Sequence, residues 1–544
     1  MLVFKVAFNK CLVLLKLDGM QRLTLISLIL VSFSAIAQQK VAVNPENRFQ
    51  TIEFFGAADA WSGNFVGKLW DENRKREVAD YLFSQEIDAS GNPVGIGLSI
   101  WRVNLGAGTL EQAGADIYPY QRRAEAYMTL DGKGYDWGKC SGHEYFMQAA
   151  KERGCNNFIL FSNSPLVHYA KNGKGYAPTK YESNLREDCY DAYADYLVDV
   201  TEHLMEKGYH IPYISPINEP QGNWNTPRQE GSPWKNSEIC RMTKALDKSL
   251  SRSSKFDDVR IFIAEAARLK VLYEYRSSLL NQFQNDSLEC PGRQLYMFFD
   301  KSSPFYVGDL KHMDMEFTAH PYHNHFSSDE LLEVHKLAKK EFDKYGVDYH
   351  SSEWCLLPVS KQYGGITADW AKGNHGDIQA ALMMARLIHS DFVDVDAVSW
   401  CYWKGMELRG DHALISLHAI DGDIHKGGYV SANKMLWVLG NYSRFIRPGY
   451  VRIALDGAND LDTLAASAYV SPEGDKVVAV FVNSSFEDAP VEIALPKAWK
   501  KKISSVTSYR TDARHDLAKT VTGQGTNHTI AARGVTTVVI DFTK

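Results

Sequence analysis

The chain of 544 residues has few cysteines and no pair of them in CxxC spacing. Eight cysteines at wide intervals exclude a dense disulfide framework, and they argue against a structural zinc site, whose ligands recur at short spacings. Removal of an amino-terminal segment containing Cys11 would leave seven, an odd number. The sequence therefore leaves undecided whether one or two disulfides form. No spacing of cysteine, histidine or aspartate predicts a metal or a cofactor.

The chain also lacks an excess of basic residues: its net charge is −6 and its pI is near 6.3. This balance argues against nucleic acid or an anionic membrane surface as the partner. Beyond the first 37 residues no apolar run is long enough to form a membrane-spanning helix. We therefore expect no stable membrane insertion, and the oligomeric state is left open.

The amino terminus has the order of a signal peptide. A polar and basic pair at 21–22 precedes an apolar stretch at 23–33, and small residues at 35 and 37 form a cleavage site. Met20 is an alternative start. We predict a signal peptide over residues 1–37 and an exported protein, periplasmic or extracellular.

No Gly-x-Gly-x-x-Gly follows the first predicted strand, which argues against a doubly wound nucleotide-binding sheet. Eight β-type segments alternate with stretches long enough for helices, a pattern typical of parallel α/β proteins. These segments are 51–58, 97–105, 157–162, 211–217, 259–264, 315–319, 347–351 and 394–403. Most end in polar or aromatic residues, as expected where an active site is built from strand ends. We predict a (β/α)8 TIM barrel over residues 51–431, with a doubly wound sheet as the competing α/β architecture.

The sequence pattern changes after about residue 432. Short β-rich runs recur there and are separated by turn signals such as Ser471-Pro472-Glu473-Gly474-Asp475. This pattern predicts an attached antiparallel β-sandwich domain over residues 432–544.

Two carboxylates stand at the ends of predicted strands. Glu219 follows the fourth strand in Ser215-Pro216-Ile217-Asn218-Glu219-Pro220, and Glu353 follows the seventh in Ser351-Ser352-Glu353-Trp354. In one barrel both side chains would point into the same mouth. Two opposed carboxylates suit glycosidic cleavage, in which one protonates the leaving oxygen while the other attacks the anomeric carbon or activates water. Either residue alone is equally well explained as a polar strand end, and the pair favours a glycosidase.

Further motifs lie along most of the mature chain. They are Phe55-Gly56-Ala57-Ala58-Asp59-Ala60-Trp61-Ser62, Trp101-Arg102-Val103-Asn104-Leu105-Gly106, Ser162-Asn163-Ser164-Pro165, His320-Pro321-Tyr322, Trp400-Cys401-Tyr402-Trp403 and Asn441-Tyr442-Ser443-Arg444-Phe445-Ile446-Arg447-Pro448-Gly449. Together with the two glutamate motifs they resemble glycoside hydrolase family 30, which belongs to a clan of retaining (β/α)8 glycosidases. In that family the β-sandwich also takes in the strand before the barrel, so the resemblance adds residues 38–50 to that domain.

The resemblance implies roles for the site residues. Glu219 would be the acid/base and Glu353 the nucleophile, with their carboxyl groups about 5–5.5 Å apart. Asn218 would bind the sugar 2-hydroxyl. Arg102, His320 and Tyr322 would lie near Glu353, and Arg102 would keep the pKa of that carboxyl low. Glu219 would stay protonated near neutral pH through a neighbouring negative charge or a dry pocket.

Aromatic and polar side chains complete the expected sugar-binding site. Trp400 and Trp403 would stack on sugar rings, with core packing as the alternative for each. The remaining residues that the resemblance assigns to substrate binding are Asp59, Trp61, Asn163, Gln229 and Glu230. Glu265, at the end of the fifth strand, is either a sugar ligand or one partner of an ion pair.

Within the family the resemblance is to the endo-β-1,6-galactanase-like branch, through Asn218-Glu219-Pro220-Gln221, Trp224 and Gln229-Glu230-Gly231. The chain departs from that branch after Pro165, where Leu166-Val167-His168-Tyr169 replaces the usual Trp and Met. The partner expected is therefore an oligo- or polysaccharide, with β-1,6-galactan favoured. The alternatives are β-1,6-glucanase, xylanase or glucosylceramidase-like activity and, in a different class, a non-catalytic carbohydrate-binding protein.

Overall fold

The computed structural model describes residues 38–112, 116–274, 280, 288–324, 327–357, 378–408, 413–496, 499 and 501–543. The predicted signal peptide lies outside the described residues, as does Cys11. Within them, no helix combines the length and apolar character needed to cross a membrane.

Nineteen strands are found in the described residues. They are β1 (Gln39–Thr51), β2 (Phe54–Ala58), β3 (Ile100–Asn104), β4 (Asn157–Phe161), β5 (His210–Ser215), β6 (Arg260–Ile261), β7 (Glu316–Ala319), β8 (Asp348–Trp354), β9 (Ser399–Leu408), β10 (Ala413–Ala419), β11 (Gly428–Ala432), β12 (Val451–Asp456), β13 (Leu464–Val470), β14 (Lys476–Asn483), β15 (Ala489–Ala494), β16 (Ile503–Thr511), β17 (Ala518–Gly523), β18 (Asn527–Ile530) and β19 (Gly534–Phe542).

Nine α-helices are found in the same part of the chain. They are α1 (Ser62–Leu69), α2 (Glu72–Phe83), α3 (Ser141–Glu152), α4 (Tyr190–Glu206), α5 (Asn236–Leu250), α6 (Gln294–Phe299), α7 (Ser328–Tyr345), α8 (Ile378–Asp394) and α9 (Lys434–Ser443). Asp71 caps the amino terminus of helix α2, and its carboxylate accepts the N–H groups of Asn73 and Arg74. Ser327 caps the amino terminus of helix α7, and Gly346, whose φ of 63° suits glycine, caps its carboxyl terminus.

Strands β2 to β9 lie parallel and alternate with helices along the chain. Strand β2 pairs with β3, β3 with β4, β4 with β5 and β5 with β6, while β7 pairs with β8, β8 with β9 and β9 with β2. Backbone hydrogen bonds link the β6 and β7 segments, from Ile261 N–H to His312 O (2.9 Å) and from Thr318 N–H to Ile263 O (3.0 Å). All eight predicted parallel strands are therefore present, with shifted ends.

The parallel sheet is curled. Phe54, Ile100, Ile159, Phe262 and Cys401 come from different strands or strand ends, and they form one buried cluster. Strands β10 and β11 extend this sheet beyond β9, with β10 parallel to β9 and β11 antiparallel to β10. The sequence prediction did not include these two strands.

A second, nine-stranded sheet has the order β17-β16-β19-β14-β13-β12-β1-β15-β18. Its interior strand β14 is buried on both faces: Val477, Ala479 and Phe481 pack in one core, whereas Val478 and Val480 pack in another. The amino-terminal strand β1 joins this sheet, antiparallel to β12 and parallel to β15. This pairing agrees with the expected contribution of residues 38–50, while the division of the chain into domains stays a prediction.

Candidate active site

Glu219 and Glu353 lie at the same edge of the parallel sheet. Glu219 follows β5, and Glu353 is near the carboxyl end of β8. The backbone of Glu219 has a positive φ of 42°, and its N–H donates to the carbonyl oxygen of Glu265 (2.9 Å), whose own φ is 50°. Left-handed backbone at a residue other than glycine costs on the order of 1–3 kcal/mol. The surrounding structure therefore holds both glutamates in unfavourable conformations.

The two carboxylates lie close together. One oxygen of Glu219, one oxygen of Glu353 and a ring nitrogen of His320 all fall within 4.8 Å of one another. Retaining glycosidases hold their carboxyl groups about 5–5.5 Å apart, and inverting enzymes about 6.5–9.5 Å apart. The close approach of the two carboxylates is of the kind found in retaining enzymes.

His320, which follows β7, bridges the carboxylates. Its Nδ1 is 3.0 Å from Glu219 Oε1 and 3.6 Å from Glu353 Oε1, and its Nε2 is 3.0 Å from Glu265 Oε2. Burial alone would lower the pKa of His320, but the charges and hydrogen bonds of these carboxylates raise it to about 10. The imidazole is therefore protonated at neutral pH and donates from both nitrogens.

Arg102 enters the site from β3 and is fully buried. Its guanidinium donates to Glu353 Oε2 (2.7 Å) and Asn218 Oδ1 (3.2 Å), and it lies 3.2 Å from Glu265 Oε1. Phe161 packs under it, with the ring centroid 3.7 Å away. Burial would raise the pKa of Glu265, but Arg102 and His320 lower it to about 2. Arg102, Glu219, Glu265, His320 and Glu353 together form what we call the carboxyl-edge cluster.

The pKa of Glu353 departs from the sequence expectation. Burial raises it above the ordinary value, and the charges of His320 and Arg102 offset this only in part, while Glu219 adds to it. The expected contact with Arg102 is present, and Tyr322 also donates its hydroxyl to Glu353 Oε1 (3.1 Å). The expectation of a lowered pKa is wrong, because burial has a larger effect than the neighbouring cations.

The charges of the cluster are closely matched. Arg102 and His320 carry two positive charges, and Glu265 with its pKa of about 2 carries one negative charge. Glu219 and Glu353 complete the group, and two opposed carboxyl groups of this kind can act as one acid and one nucleophile or base.

Aromatic side chains line one side of the cluster. Trp61 and Trp403 meet edge to face with centroids 5.5 Å apart, and Arg122 lies 5.1 Å above the Trp61 ring. Trp403 is also 5.8 Å from the Arg102 guanidinium. Trp400 does not join them: it is fully buried, and its indole N–H donates to Asp391 of α8 (2.9 Å). The core-packing alternative therefore describes Trp400.

Asp59 and Asn163 have internal contacts. The carboxylate of Asp59 accepts the Asn104 N–H (2.8 Å) and lies 2.7 Å from His143 Nδ1, so both of its oxygens are engaged. Asn163 Nδ2 donates to Asn104 Oδ1 (3.4 Å). The substrate-binding roles of Asp59 and Asn163 stay predictions.

The loop after β5 carries Gln229, which is half-buried, and Glu230, which is fully buried. Glu230 accepts the Ala107 N–H (3.0 Å) and the Thr109 hydroxyl (2.5 Å), so it ties this loop to the loop after β3. Burial raises the pKa of Glu230 to about 7. The geometry therefore makes Glu230 a connection between two loops and places it outside the carboxyl-edge cluster.

Sequence reasoning missed part of the cluster. Glu265 was left open between sugar ligand and ion pair, and the structure places it in ion pairs with Arg102 and His320. Phe161 and the hydroxyl of Ser352, which donates to Glu265, were not anticipated. Glu265 carries the same signal as Glu219, a carboxylate directly after a strand. The seven described cysteines are all buried and free, so no disulfide is formed among them.

Comparison with known proteins gives consistent results. O-Glycosyl hydrolase family 30 matches residues 38–410, more than half of the chain. An endo-beta-1,6-galactanase from Hypocrea rufa is 26% identical over 252 residues, which cover 43% of this chain and 51% of that protein. The match thus spans about half the length of this curated relative.

Two solved structures are similar over most of the chain. A conserved exported protein from Bacteroides fragilis is 30% identical, with a TM-score of 0.82. The match covers 92% of this chain and 100% of that chain. The catalytic domain of a family 30 xylanase C from Talaromyces cellulolyticus is 20% identical, with a TM-score of 0.62, over 92% of this chain and 100% of its own.

Proposed function

The chain belongs to O-glycosyl hydrolase family 30, and on that premise we propose that it is a retaining β-glycosidase. The family expected from the sequence motifs is thereby confirmed. One observation carries the proposal: the carboxylates of Glu219 and Glu353 approach within 4.8 Å at one edge of the parallel sheet. An approach this close supports the shorter carboxyl spacing that double displacement uses.

We propose further that β2 to β9 form a (β/α)8 barrel and that the nine-stranded sheet is a β-sandwich side domain. The pairing order, in which β9 returns to β2, and the backbone hydrogen bonds between the β6 and β7 segments support the barrel. A separate hydrophobic core, with residues from β1, β12 to β16, β18 and β19, supports the sandwich. In this arrangement the carboxyl-edge cluster lies at the mouth where barrel enzymes place their active sites.

In the first step an oxygen of Glu353 attacks the anomeric carbon, and the glycosidic bond to the leaving oxygen breaks. Glu219 gives its proton to that oxygen, so a neutral alcohol leaves and a covalent glycosyl ester remains on Glu353. In the second step Glu219 accepts a proton from water. The resulting hydroxide oxygen attacks the anomeric carbon and releases Glu353 as the carboxylate.

The hydrogen bonds support this division of roles. Glu353 accepts from Arg102 (2.7 Å) and Tyr322 (3.1 Å), and both contacts favour its ionised form. Glu219 accepts from His320 (3.0 Å), and its side chain is 16% exposed, so a leaving oxygen can reach it. These contacts suit Glu353 as the nucleophile and leave Glu219 accessible as the proton donor. Asn218, held by Arg102, is positioned to contact the sugar 2-hydroxyl.

For the substrate we propose β-1,6-galactan. The support is the curated relative from Hypocrea rufa, an endo-beta-1,6-galactanase, together with the motif around Glu219 and Trp224. Trp224 donates its indole N–H to the Glu219 carbonyl oxygen (2.9 Å), so the motif residue borders the acid/base. We also propose export, because of the signal-peptide pattern and because the relative from Bacteroides fragilis is described as an exported protein.

A polysaccharide panel tests the substrate. β-1,6-Galactan, β-1,6-glucan, xylan and arabinogalactan are digested in parallel, and the product lengths are measured by chromatography. We expect oligosaccharides from β-1,6-galactan and none with the Glu353→Gln variant. Products from β-1,6-glucan or xylan alone would show that the proposed substrate is wrong, and they would leave the proposed double-displacement mechanism in place. Tight binding without any products would favour the carbohydrate-binding alternative.

A further inference from the structure

A second histidine and two more glutamates meet at the opposite edge of the parallel sheet. Glu53 directly precedes β2, Glu316 is the first residue of β7, and His350 is the third residue of β8. One ligand atom from each lies within 4.8 Å of the others. His350 is three residues before Glu353 on the same strand, which is roughly 10 Å away at the rise of a β-strand. Glu53, Glu316 and His350 are called the amino-edge cluster below.

The His350 side chain is completely buried and is held from several sides. Its Nδ1 is 2.8 Å from the Ser399 hydroxyl, and the Phe54 and Phe262 rings pack against it with centroids 5.6 and 4.7 Å away. Its Nε2 points between the two glutamates, 3.6 Å from Glu316 Oε2 and 4.0 Å from Glu53 Oε2. Within the described residues, neither His350 Nε2 nor Glu316 Oε2 has a hydrogen-bond partner.

These separations are too long for hydrogen bonds, which join nitrogen and oxygen at about 2.7–3.2 Å. They fit two ligands of one metal ion. Imidazole nitrogens and carboxylate oxygens bind Zn²⁺ at about 2.0–2.2 Å, and at a tetrahedral angle such atoms are roughly 3.4 Å apart.

The contacts around the cluster resemble those that orient metal ligands. The Ser399 hydroxyl fixes His350 Nδ1, and the Tyr213 hydroxyl donates to Glu53 Oε2 (2.9 Å). In the described part of the chain, neither Glu53 nor Glu316 has an ion pair with lysine or arginine. The side chain of Glu53 is 32% exposed, which leaves a path for an ion and a position for water.

We propose that Glu53, Glu316 and His350 bind one divalent transition-metal ion, Zn²⁺ or Mn²⁺, that ties β2, β7 and β8 together. One imidazole with two carboxylates suits such an ion, because imidazole favours Zn²⁺ and carboxylate favours Mn²⁺. The role is structural, since the cluster lies at the edge opposite to Glu219 and Glu353. Sequence spacing gave no sign of this site because its residues lie on three separate strands.

Metal binding to the untagged full-length protein tests the site. The protein is stripped with EDTA and dialysed, then titrated with Zn²⁺ or Mn²⁺ by calorimetry, and bound metal is measured by mass spectrometry. We expect about one ion per chain, a higher melting temperature with metal, and at least about tenfold weaker binding of Ca²⁺ and Mg²⁺.

Two variants locate the ion. Glu316→Gln and Glu53→Gln should each weaken binding at least about tenfold, with folding checked by circular dichroism. Glu219→Gln is the matched control, because Glu219, His320 and Glu353 form the other group with ligand-like spacing. It should keep the affinity of the unmodified protein. No stoichiometric metal, or binding that survives Glu316→Gln and Glu53→Gln, or binding lost in Glu219→Gln, would overturn the proposal.

Discussion

The parallel sheet carries two groups of the same composition, one at each edge. Glu219, His320 and Glu353 meet at the carboxyl edge, and Glu53, His350 and Glu316 meet at the amino edge. At the first, His320 makes hydrogen bonds of 3.0 Å through both nitrogens, to Glu219 and Glu265. At the second, His350 Nε2 stands 3.6 and 4.0 Å from the carboxylates.

The difference lies in the cations that the protein supplies. Arg102 enters the carboxyl-edge cluster and forms ion pairs with both Glu265 and Glu353. No arginine or lysine pairs with the glutamates of the amino-edge cluster among the described residues. In our proposals, the same three residue types carry out proton transfer where an arginine is present, and they bind a metal ion where no arginine or lysine pairs with them.

Two buried glutamates near the carboxyl edge show how strongly such cations act. Glu265 and Glu230 are both fully buried. Arg102 and His320 oppose the effect of burial on Glu265 and lower its pKa to about 2, whereas burial raises the pKa of Glu230 to about 7. Burial without a neighbouring cation therefore leaves Glu230 largely protonated at mildly acidic pH, even though it accepts hydrogen bonds from Thr109 and Ala107, and the cations of the carboxyl-edge cluster reverse this effect for Glu265.

The largest expected effect comes from removing the nucleophile. Glu353→Gln keeps the shape of the side chain but cannot form the glycosyl ester, so kcat should fall by about 10⁴-fold or more. The measurement is steady-state turnover of an aryl glycoside. Glu72→Gln, the same exchange on the exposed face of α2, is the control and should be unaffected. Activity of Glu353→Gln near that of the unmodified protein would contradict the assignment.

Removal of the proton donor should have a smaller effect that depends on the substrate. Glu219→Gln should slow cleavage by about 10²–10⁴-fold for leaving groups that need a proton, and much less for activated aryl leaving groups. Azide should partly restore turnover of the activated substrates, because it can replace the water that Glu219 activates. An equal loss with both substrate types and no response to azide would show that Glu219 is not the acid/base.

Glu265→Gln tests the charge balance of the carboxyl-edge cluster. Its ionised carboxylate makes ionisation of the neighbouring carboxyl groups less favourable, so its removal should shift both limits of the pH profile of kcat/KM to lower pH by about one unit. A purely structural role would lower activity without moving the profile. An unshifted profile in a folded variant would therefore contradict the role given to Glu265.

Glu230→Gln should give the smallest effect, on stability. The pKa of Glu230 is raised from 4.5 to about 7, so its contribution to the free energy of unfolding is full below about pH 4.5 and is lost as the pH rises through 7. The unmodified protein should lose about 3 kcal/mol relative to the variant across this window.

Urea unfolding at a series of pH values measures this difference. Glu72→Gln is again the control, because the pKa of Glu72 is lowered to about 2 by hydrogen bonds from Lys75 and Tyr145, and its titration falls outside the window. Parallel stability curves for Glu230→Gln and the unmodified protein between pH 4.5 and 7 would contradict the raised pKa.

The sequence predicted those parts of the site that a single strand end specifies. Glu219 and Glu353 each follow a clear strand pattern, and one barrel would bring them together. The face of the sheet to which each side chain of a strand points was harder to predict. In β9, Cys401 contributes to the cluster inside the curled sheet, while Trp400 faces α8, because side chains alternate between the two faces. The motif did not reveal which face was which.

Features that depend on several distant strands were not predictable in the same way. The amino-edge cluster joins residues from the starts of β2, β7 and β8, and no local pattern connects them. The direction in which the pKa of Glu353 is shifted depends on how deeply the side chain is buried, and the sequence does not show this. Strands β10 and β11 were missed because pairing at the edge of the sheet, rather than local propensity, defines them.

The stereochemistry of the product tests the central claim most directly. Cleavage of a β-linked substrate by the unmodified enzyme is followed by ¹H NMR from the first minutes, before mutarotation equilibrates the anomers. Double displacement through Glu353 predicts that the β anomer of the new reducing end appears first and that the α anomer grows in later. Initial release of the α anomer would contradict the account, because it requires a single displacement by water and a wider separation of the two carboxyl groups.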